Sequence, residues 1–211
     1  WSLDTGFRES LLIPEIAREV NLDGYVKERF QETLWDTPLI SGESDSEIRR
    51  RQMSFMNIRW FMGTLLDRKD RCSMASGLEV RVPYADHRLI DYVYNVPWDY
   101  KCRNGVQKSL LRDAAVGLLP EDILYRKKSP YPKTHNPGYE ALLKSKLRYI
   151  LMDSMQPIHK LLSPETAKGL LTEKFDYGKP WFGQLMAGPQ LLAYLIQINY
   201  WMLRYNIYVD L

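Results

Sequence analysis

Apolar residues recur at helical spacing along most of this 211-residue chain, and proline and glycine separate the periodic segments. Alternating runs of β-branched residues, which are typical of strands, are few. The sequence therefore predicts a mostly α fold in which strands are scarce, with residues 1–20 forming a loop and a short helix. The other expected helices span residues 22–34, 45–66, 88–95, 107–118, 121–125, 139–151, 164–171 and 188–205.

Polar residues mark where several of these helices begin. Ser44 followed by Glu47 is a capping box, Asp86 is placed to cap the next helix, and Ser163 precedes a proline at the first helical position. The apolar stripes behind these caps are interpreted as core packing. They comprise Tyr25, Val26, Phe30 and Leu34 on the first long helix, Phe55, Ile58, Met62, Leu65 and Leu66 on the second, and Leu110, Leu111, Ala114 and Leu118 further on.

Composition excludes several classes of protein. With 45% hydrophobic and 26% charged residues, the chain has the composition of a soluble globular protein. Its 29 basic and 26 acidic residues are spread along the chain, which argues against nucleic-acid binding. Two cysteines, Cys72 and Cys102, make neither a disulfide framework nor a zinc motif, so a cytoplasmic location is expected.

No apolar run reaches the length that a membrane span needs. The most apolar segment, 191–202, is short and is interrupted by Gln197 and Asn199, so it is expected to be a buried helix. Because the chain starts with Trp1 and not with methionine, we expect it to be a processed product or a fragment of a longer protein.

Charge concentrates in residues 67–86, which have no clean period and are expected to connect two helices. Long charged connections are where binding sites often lie. Two interpretations stay open here. The alternating charges, Arg71 and Glu79–Arg81 among them, could form a partly buried salt-bridge network that fixes a loop. They could instead form a polar wall where arginine grips a carboxylate or phosphate.

A second basic run, Arg126-Lys127-Lys128, precedes two prolines at 130 and 132. Prolines stiffen a loop, and a stiff loop suits a cation that must meet an anion at a fixed distance. Most lysines, however, are solvated surface residues. From the residues alone, Lys128 could be either.

Four segments stand in an order that resembles the asparagine synthetase family. Residues 71–74 are RCSM, where the family typically has RxSM, and 78–86 are LEVRVPYAD, where it has LExRxPFxD. A helix carrying Lys108, Leu111 and Arg112 matches the family's K-x-x-LR, and LPEDILYRKK at 119–128 matches LP-x-x-(I/V)-x-x-R-x-K. The segments WFGQ at 181–184 and GPQ at 188–190 are similar to some bacterial members.

The resemblance implies a fold and a place within it. The chain is expected to be the helical carboxy-terminal portion of an α/β adenine-nucleotide (PP-loop ATP pyrophosphatase-like) synthetase domain, with all of 1–211 belonging to that partial domain. The family's amino-terminal glutaminase domain and its SGGxDS loop for ATP phosphates have no counterpart in the sequence. Residues 41–47 imitate the family's pyrophosphate loop, but they lack its second glycine and are interpreted as a helix cap.

The resemblance also implies a reaction. The parent is expected to be a glutamine-hydrolysing ligase that joins aspartate and ammonia at the expense of ATP, through an acyl-adenylate. Lys128 takes the catalytic role, with Arg126 and Lys127 as supporting charge. Glu79 and Arg81 are expected to shape the aspartate or AMP pocket, and Arg71 and Ser73 to hold its wall. Mg²⁺ is expected for the parent, with ligands mostly outside this chain, and no residue here is assigned to metal.

Two alternatives stay open. Relatives with the same adenylating fold, such as β-lactam synthetases and peptide-cyclising enzymes, act on other carboxylates. As an isolated polypeptide the chain could also be a catalytically inert helical interaction domain. Helices that lack their usual sheet would expose apolar surface, so dimerisation or poor solubility in isolation is expected. Neither nucleic acid nor membrane is an expected partner.

Overall fold

The computed structural model of the chain describes residues 5–129, 136–172 and 188–210. It divides into two compact units, one made of residues 1–27 and 130–211 and the other of residues 28–129. The chain passes from one unit to the other twice, first inside a helix, between residues 27 and 28, and again between residues 129 and 130. Twelve α-helices are present in the described ranges: α1 Thr5–Ser10, α2 Pro14–Val20, α3 Leu22–Trp35, α4 Asp45–Met56, α5 Gly63–Met74, α6 His87–Asn95, α7 Trp98–Lys101, α8 Ser109–Ala114, α9 Glu121–Leu124, α10 Pro137–Met152, α11 Pro164–Leu170 and α12 Gly188–Tyr205.

The first unit holds the hydrophobic core. Helices α10 and α12 pack against each other, and the short helix α11 and a 3₁₀ turn, Pro157–Lys160, complete the cluster. The buried members of this cluster are Leu11, Leu147, Ile150, Ile158, Leu162, Ala167, Leu170, Leu191, Leu192, Leu195 and Ile196. The predicted buried helix at 191–202 is therefore confirmed.

Two backbone features tie the first unit together. Ile13 N–H donates to Leu161 O over 2.9 Å, and Ser163 N–H donates to Leu11 O over 2.8 Å. These bonds flank a lone antiparallel bridge between Leu12 and Leu162, and the described residues contain no longer strand. The prediction that strands are scarce is confirmed for this part of the chain.

A buried polar residue interrupts the apolar face of α12. Asn199 is 3% exposed. Its Oδ1 accepts a hydrogen bond from Ile158 N–H at 3.2 Å, and its Nδ2 donates to Gln156 Oε1 at 2.7 Å. Burying a polar group costs free energy unless the group is hydrogen-bonded. The Asn199 amide avoids this cost because the 3₁₀ turn and the residue before it supply both partners.

The second unit is built on one long helical run. Helix α4 passes through a π-helical turn, Asn57–Met62, directly into α5. Ser44 Oγ accepts from Glu47 N–H and the Glu47 carboxylate accepts from Ser44 N–H, so the predicted capping box is confirmed. The end of α3 contacts the π-helical turn through a 3.0 Å hydrogen bond from Trp60 Nε1 to Thr33 Oγ1.

The long run does not end at residue 66, as the sequence predicted. It continues to Met74, and its end is closed by Gly77, whose φ of 70° lies in the left-handed region that glycine adopts without strain. Leu78 N–H returns to Ser73 O at 2.9 Å. The charged residues from Asp67 to Ser73 therefore lie on a helix, and the prediction of a connecting loop over them was wrong.

Several predicted core stripes are not buried. On α3, Tyr25 is 55% exposed and Phe30 is 50% exposed, and no residue of α4, the π-helical turn or α5 is fully buried. Helix α8 is half its predicted length. Lys108 at its start has φ 61° and Gly117 beyond its end has φ 77°, and neither value is helical. Leu118 is 79% exposed, so the core interpretation was wrong for the stripes of α3 and α8. The stripe of Phe55, Ile58, Met62, Leu65 and Leu66 is half-buried.

The remaining predictions of helix ends agree closely with the structure. Asp86 caps α6 by accepting from Arg88 N–H, and Ser163 caps α11 by accepting from Thr166 N–H. Residues 5–20 form two helices, where one was expected. Within the described ranges, no helix is both long enough and apolar enough to cross a membrane.

Candidate functional site

An open cavity of about 460 Å³ lies in the second unit, between α5 and the segment that follows it. Its wall combines apolar surface with two cations and two carboxylates. The lining residues are Leu66, Lys69 and Asp70 from α5 and Val80, Arg81, Val82, Pro83, Ala85 and Asp86 from the following segment. Charges of both signs around an apolar floor suit a small ligand that carries charges of both signs.

The helical geometry of α5 explains one side of the cavity. Leu66, Lys69 and Asp70 are spaced i, i+3 and i+4, which places them on one face of a helix. Lys69 was missed by the sequence analysis because residues 67–74 were expected to be a loop. A helix extended to Met74 would have brought it next to Leu66.

The other side of the cavity is shaped by a cap. Pro83 begins a 3₁₀ turn, Pro83–Ala85, and Asp86 follows as the cap of α6. The Asp86 carboxylate accepts from Arg88 N–H at 2.9 Å and from the Arg88 guanidinium at 2.7 Å. These bonds to the charged form lower the pKa of Asp86 to about 2. Asp86 is therefore a negative wall of the cavity throughout the neutral pH range.

The two residues matched to the LExR motif form an ion pair. The Arg81 guanidinium lies 2.7 Å from the Glu79 carboxylate, and the side chains are 84% and 63% exposed. Of this pair, only Arg81 is part of the cavity wall. Exposed ion pairs contribute little free energy, so Arg81 can exchange Glu79 for a ligand anion at small cost.

Arg71 and Ser73 make local contacts on α5. Arg71 Nε donates to Asp67 Oδ1 at 2.6 Å, one helical turn away, and the pair is largely exposed. Ser73 Oγ donates to Lys69 O at 2.7 Å. Neither side chain is among the described residues of the cavity wall. The partly buried salt-bridge network considered from the sequence is thus replaced by exposed pairs between near neighbours.

The basic run after α9 lies on the surface. Arg126, Lys127 and Lys128 are all exposed, and none of them is among the described lining residues of the cavity. The structure therefore does not bring Lys128 into the same wall as Arg81. The proline loop that was expected to stiffen this run begins at residue 130 and lies outside the described residues, as does the segment at 181–184.

The segment 41–47, which imitates a phosphate loop, is engaged in structural contacts. Beyond the capping box, the Glu43 carboxylate accepts from Arg51 Nε at 2.8 Å and from Arg51 NH2 at 2.6 Å, and the two side chains are only 13% and 9% exposed. The hydrogen bonds from Arg51 hold the pKa of Glu43 below its ordinary value. Arg51 also lies over the ring of Tyr94 at 4.8 Å and reaches Asn95 Oδ1 at 3.3 Å, so it joins α4 to α6.

The part of the chain that the structure describes does not assemble a metal site. No three side chains of histidine, cysteine, aspartate or glutamate in these ranges group as ligands. Asp70 and Asp86 line the cavity, but two carboxylates with a lysine and an arginine beside them are a poor donor set for Mg²⁺, which favours oxygen ligands. The residues present in this cavity do not fit this ion.

Comparison with known proteins places the chain in a family. The family model for asparagine synthase matches residues 2–203. The chain is 48% identical, over all of its 211 residues, to the glutamine-hydrolyzing asparagine synthetase 3 of Bacillus subtilis (strain 168), of which it covers 34%. It is 35% identical over 121 residues to synthetase 1 of the same organism, a match that takes in 56% of this chain and 19% of that protein.

The mammalian match is shorter. The glutamine-hydrolyzing asparagine synthetase of Mus musculus is 43% identical over 67 residues, which are 30% of this chain and 12% of that protein. The chain thus spans about a third of the length of the first of these relatives, and its matches to the other two cover less. Because the family model covers nearly the whole chain, this protein belongs to the asparagine synthase family.

Proposed function

We propose that the parent protein of this chain is an ATP-dependent amidoligase that converts aspartate to asparagine with ammonia derived from glutamine. The observation that carries the proposal is the family match over residues 2–203, because it includes every charged motif of the candidate site. The whole of 1–211 is proposed to be part of the synthetase domain. The glutaminase domain, the loop that holds the ATP phosphates and the ligands of Mg²⁺ are proposed to lie elsewhere in the parent.

The proposed reaction has two steps. An oxygen of the aspartate side-chain carboxylate attacks the α-phosphorus of ATP, and the bond from that phosphorus to the bridging oxygen breaks, so that pyrophosphate leaves and β-aspartyl-AMP forms. Ammonia then attacks the acyl carbon. The carbon–oxygen bond to the phosphate breaks, AMP departs and the nitrogen loses a proton. Negative charge builds on the phosphoryl oxygens in the first step and on the acyl oxygen in the second.

Lys128 is proposed to stabilise that developing charge. A fixed ammonium aimed at an oxyanion lowers the barrier because it stabilises the transition state more than the ground state. Arg126 and Lys127 are proposed to supply supporting positive charge. The exposure of all three side chains is compatible with this role, because a ligand that binds between them and the rest of the parent can reach them from solvent.

The cavity beside α5 is proposed to hold aspartate or the AMP moiety. Aspartate carries an ammonium and two carboxylates, and the wall offers Lys69 and Arg81 to the carboxylates and Asp70 and Asp86 to the ammonium. The weak pairing of Arg81 with Glu79 leaves the guanidinium free to turn towards such a ligand. In this proposal Arg71 and Ser73 act on the wall only through the end of α5.

The test is pyrophosphate release by the full-length parent with ATP, Mg²⁺ and ammonia, with and without aspartate. We expect release that depends on aspartate, and a loss of about 10²- to 10³-fold in Lys128→Ala, the size seen when one oxyanion-stabilising donor is removed. Lys146→Ala, a change at an exposed lysine of α10, is the matched control and should leave the rate unchanged. Release that ignores aspartate would favour a relative that activates another carboxylate.

A further inference from the structure

Arg112 on α8 contacts the backbone next to the basic run. It belongs to the K-x-x-LR motif, which gives no hint of what the guanidinium contacts. In the structure its NH1 donates to Leu124 O, and its NH2 donates to Arg126 O at 3.4 Å. Leu124 is the last residue of α9, and Arg126 stands two residues before Lys128. One guanidinium thus holds the backbone on both sides of the point where the chain leaves α9.

The third donor of the same group holds a second loop. Arg112 Nε donates to Gln107 O at 3.0 Å. The next residue, Lys108, has a φ of 61° and a ψ of 31°, a left-handed conformation that costs a non-glycine residue free energy and persists only where the surroundings enforce it. Ser109 adds to this enforcement, because its buried hydroxyl accepts from Arg103 N–H at 2.6 Å and donates to Val106 O at 2.8 Å.

The chemistry of the contact is specific to arginine. Three carbonyl oxygens converge on one planar group whose donors point in fixed directions, and the lysine ammonium, a compact point charge on a flexible stem, cannot reproduce that fork. The contacted oxygens all belong to the backbone, so they place the chain without depending on the side chains of residues 107, 124 and 126. The half-buried Arg112 is therefore suited to fix the path of the chain and leave the side chains of the basic run exposed.

We propose that Arg112 is a positioning residue for Lys128: its guanidinium sets the path of residues 124–126 and, through them, the place of the lysine ammonium. This inference rests on the proposed function of Lys128. It differs from that function in naming a residue that contacts no substrate. A displacement of about 1 Å in a charge-stabilising group can reduce a rate by about a hundredfold, so loosening this tie has a kinetic consequence.

The first test is a double-mutant cycle in the full-length parent, measured as aspartate-dependent pyrophosphate release for wild type, Arg112→Ala, Lys128→Ala and the double variant. We expect Arg112→Ala to slow the wild type by about 10- to 100-fold, with a larger effect on kcat than on the KM for aspartate. In the Lys128→Ala background the same change should cost less than about threefold, because the group that it positions is gone. Equal losses in both backgrounds would overturn the proposal.

Two further variants separate positioning from stability. Arg112→Lys keeps the positive charge but lacks the three-pronged donor set, so we expect it to recover less than about a tenth of the lost rate. Arg103→Ala is the matched control: Arg103 also contacts α8, through a 3.0 Å ion pair with Asp113, and it is exposed. It should keep the wild-type rate. Full recovery in Arg112→Lys would mean that charge alone is needed, which contradicts the proposal.

A readout without substrates separates this proposal from the proposed function. Tyr125 N–H donates to Glu121 O at 3.0 Å and Arg126 N–H to Ile123 O at 3.3 Å. In the full-length parent, Arg112→Ala should speed hydrogen exchange at these two amides by about tenfold, the effect of losing charge-assisted bonds of typical strength. Unchanged exchange would overturn the positioning role. If exchange is faster in Arg112→Ala but the parent releases no pyrophosphate in response to aspartate, the positioning role of Arg112 is supported and the proposed reaction is refuted.

Discussion

The buried amide of Asn199 offers the sharpest test of how the core of the first unit is held together. Changing Asn199 to leucine keeps the size and shape of the side chain but removes both of its hydrogen bonds. Ile158 N–H, now paired with Asn199 Oδ1 at 3.2 Å in a buried setting, loses its acceptor. Gln156 Oε1, which accepts from Asn199 Nδ2 at 2.7 Å, loses its donor.

The size of the effect follows from these two losses. A buried N–H without a partner costs about 1–3 kcal/mol, and the bond to the partly buried Gln156 contributes about 0.5–1.5 kcal/mol. The extra apolar surface of leucine returns about 1 kcal/mol. We therefore expect Asn199→Leu to lower the free energy of unfolding by roughly 2 kcal/mol, which corresponds to about 4–8 °C in melting temperature for a chain of this length.

The assay is urea unfolding followed by circular dichroism and by tryptophan fluorescence, because Trp201 lies two residues beyond Asn199 on the same helix. The matched control is Gln197→Leu, the same kind of change at an exposed position of α12, which should shift the free energy of unfolding by less than about 0.5 kcal/mol. If Asn199→Leu unfolds at the same urea concentration as Gln197→Leu, the hydrogen bonds to the turn at 156–158 are not stabilising and the reasoning is refuted.

Three other changes test separate interactions of the fold. Arg51 holds the pKa of Glu43 below the ordinary 4.5, so this carboxylate stabilises the folded chain above that pH and ceases to do so as the pH falls through the lowered value. Glu43→Gln should therefore flatten the fall in urea midpoint between pH 5 and pH 3, and an unaltered pH profile would contradict the pairing. Ser44→Ala removes the capping box and should lower the free energy of unfolding, measured in urea, by about 1 kcal/mol. An unchanged free energy of unfolding would mean that the cap does not stabilise the helix. Leu147→Ala, at a fully buried position of α10, should lower the free energy of unfolding by about 2–5 kcal/mol. Its control, Leu142→Ala, lies at 71% exposure on the same helix and should lower it by less than about 0.5 kcal/mol. Similar melting temperatures for the two variants would contradict the assigned core.

The sequence predicted the existence of most helices, and the errors have a common physical cause. Periodicity is detectable where apolar residues recur along a helix, and it disappears where charged residues replace them. The second half of α5 is of the second kind: Asp67 to Arg71 are all charged, and they are supported by local contacts such as the pair between Arg71 and Asp67. A search for an apolar stripe therefore stops at residue 66.

An apolar stripe also shows which face of a helix is hydrophobic, but it does not show what packs against that face. The stripe of α12 packs against α10, whereas the stripe of α3 leaves Phe30 half exposed. Both have the same spacing in the sequence. The difference depends on tertiary contacts, which a single helix does not encode.

The candidate site was predictable only where a motif supplied it. Arg81, from the LExR motif, lines the cavity, and its part in an aspartate or AMP pocket stays a prediction. Asp86 was expected to cap a helix and does so. Lys69 was missed because it faces the cavity from a helix that the pattern did not reveal. No sequence signal indicates that Arg112 donates to three backbone carbonyls. Two of these partners, Leu124 and Arg126, are 12 and 14 residues away, so the contacts depend on how α8 and α9 approach each other.

The most direct test of the proposed reaction follows an oxygen atom. The full-length parent is incubated with ATP, Mg²⁺, ammonia and aspartate whose side-chain carboxylate carries ¹⁸O, and the products are analysed by mass spectrometry. If the carboxylate attacks the α-phosphorus, one labelled oxygen stays on that phosphorus when ammonia displaces AMP, so each AMP formed carries one ¹⁸O and the pyrophosphate carries none. Unlabelled AMP, or label in inorganic phosphate formed together with ADP, would contradict an acyl-adenylate and with it the function proposed for this chain.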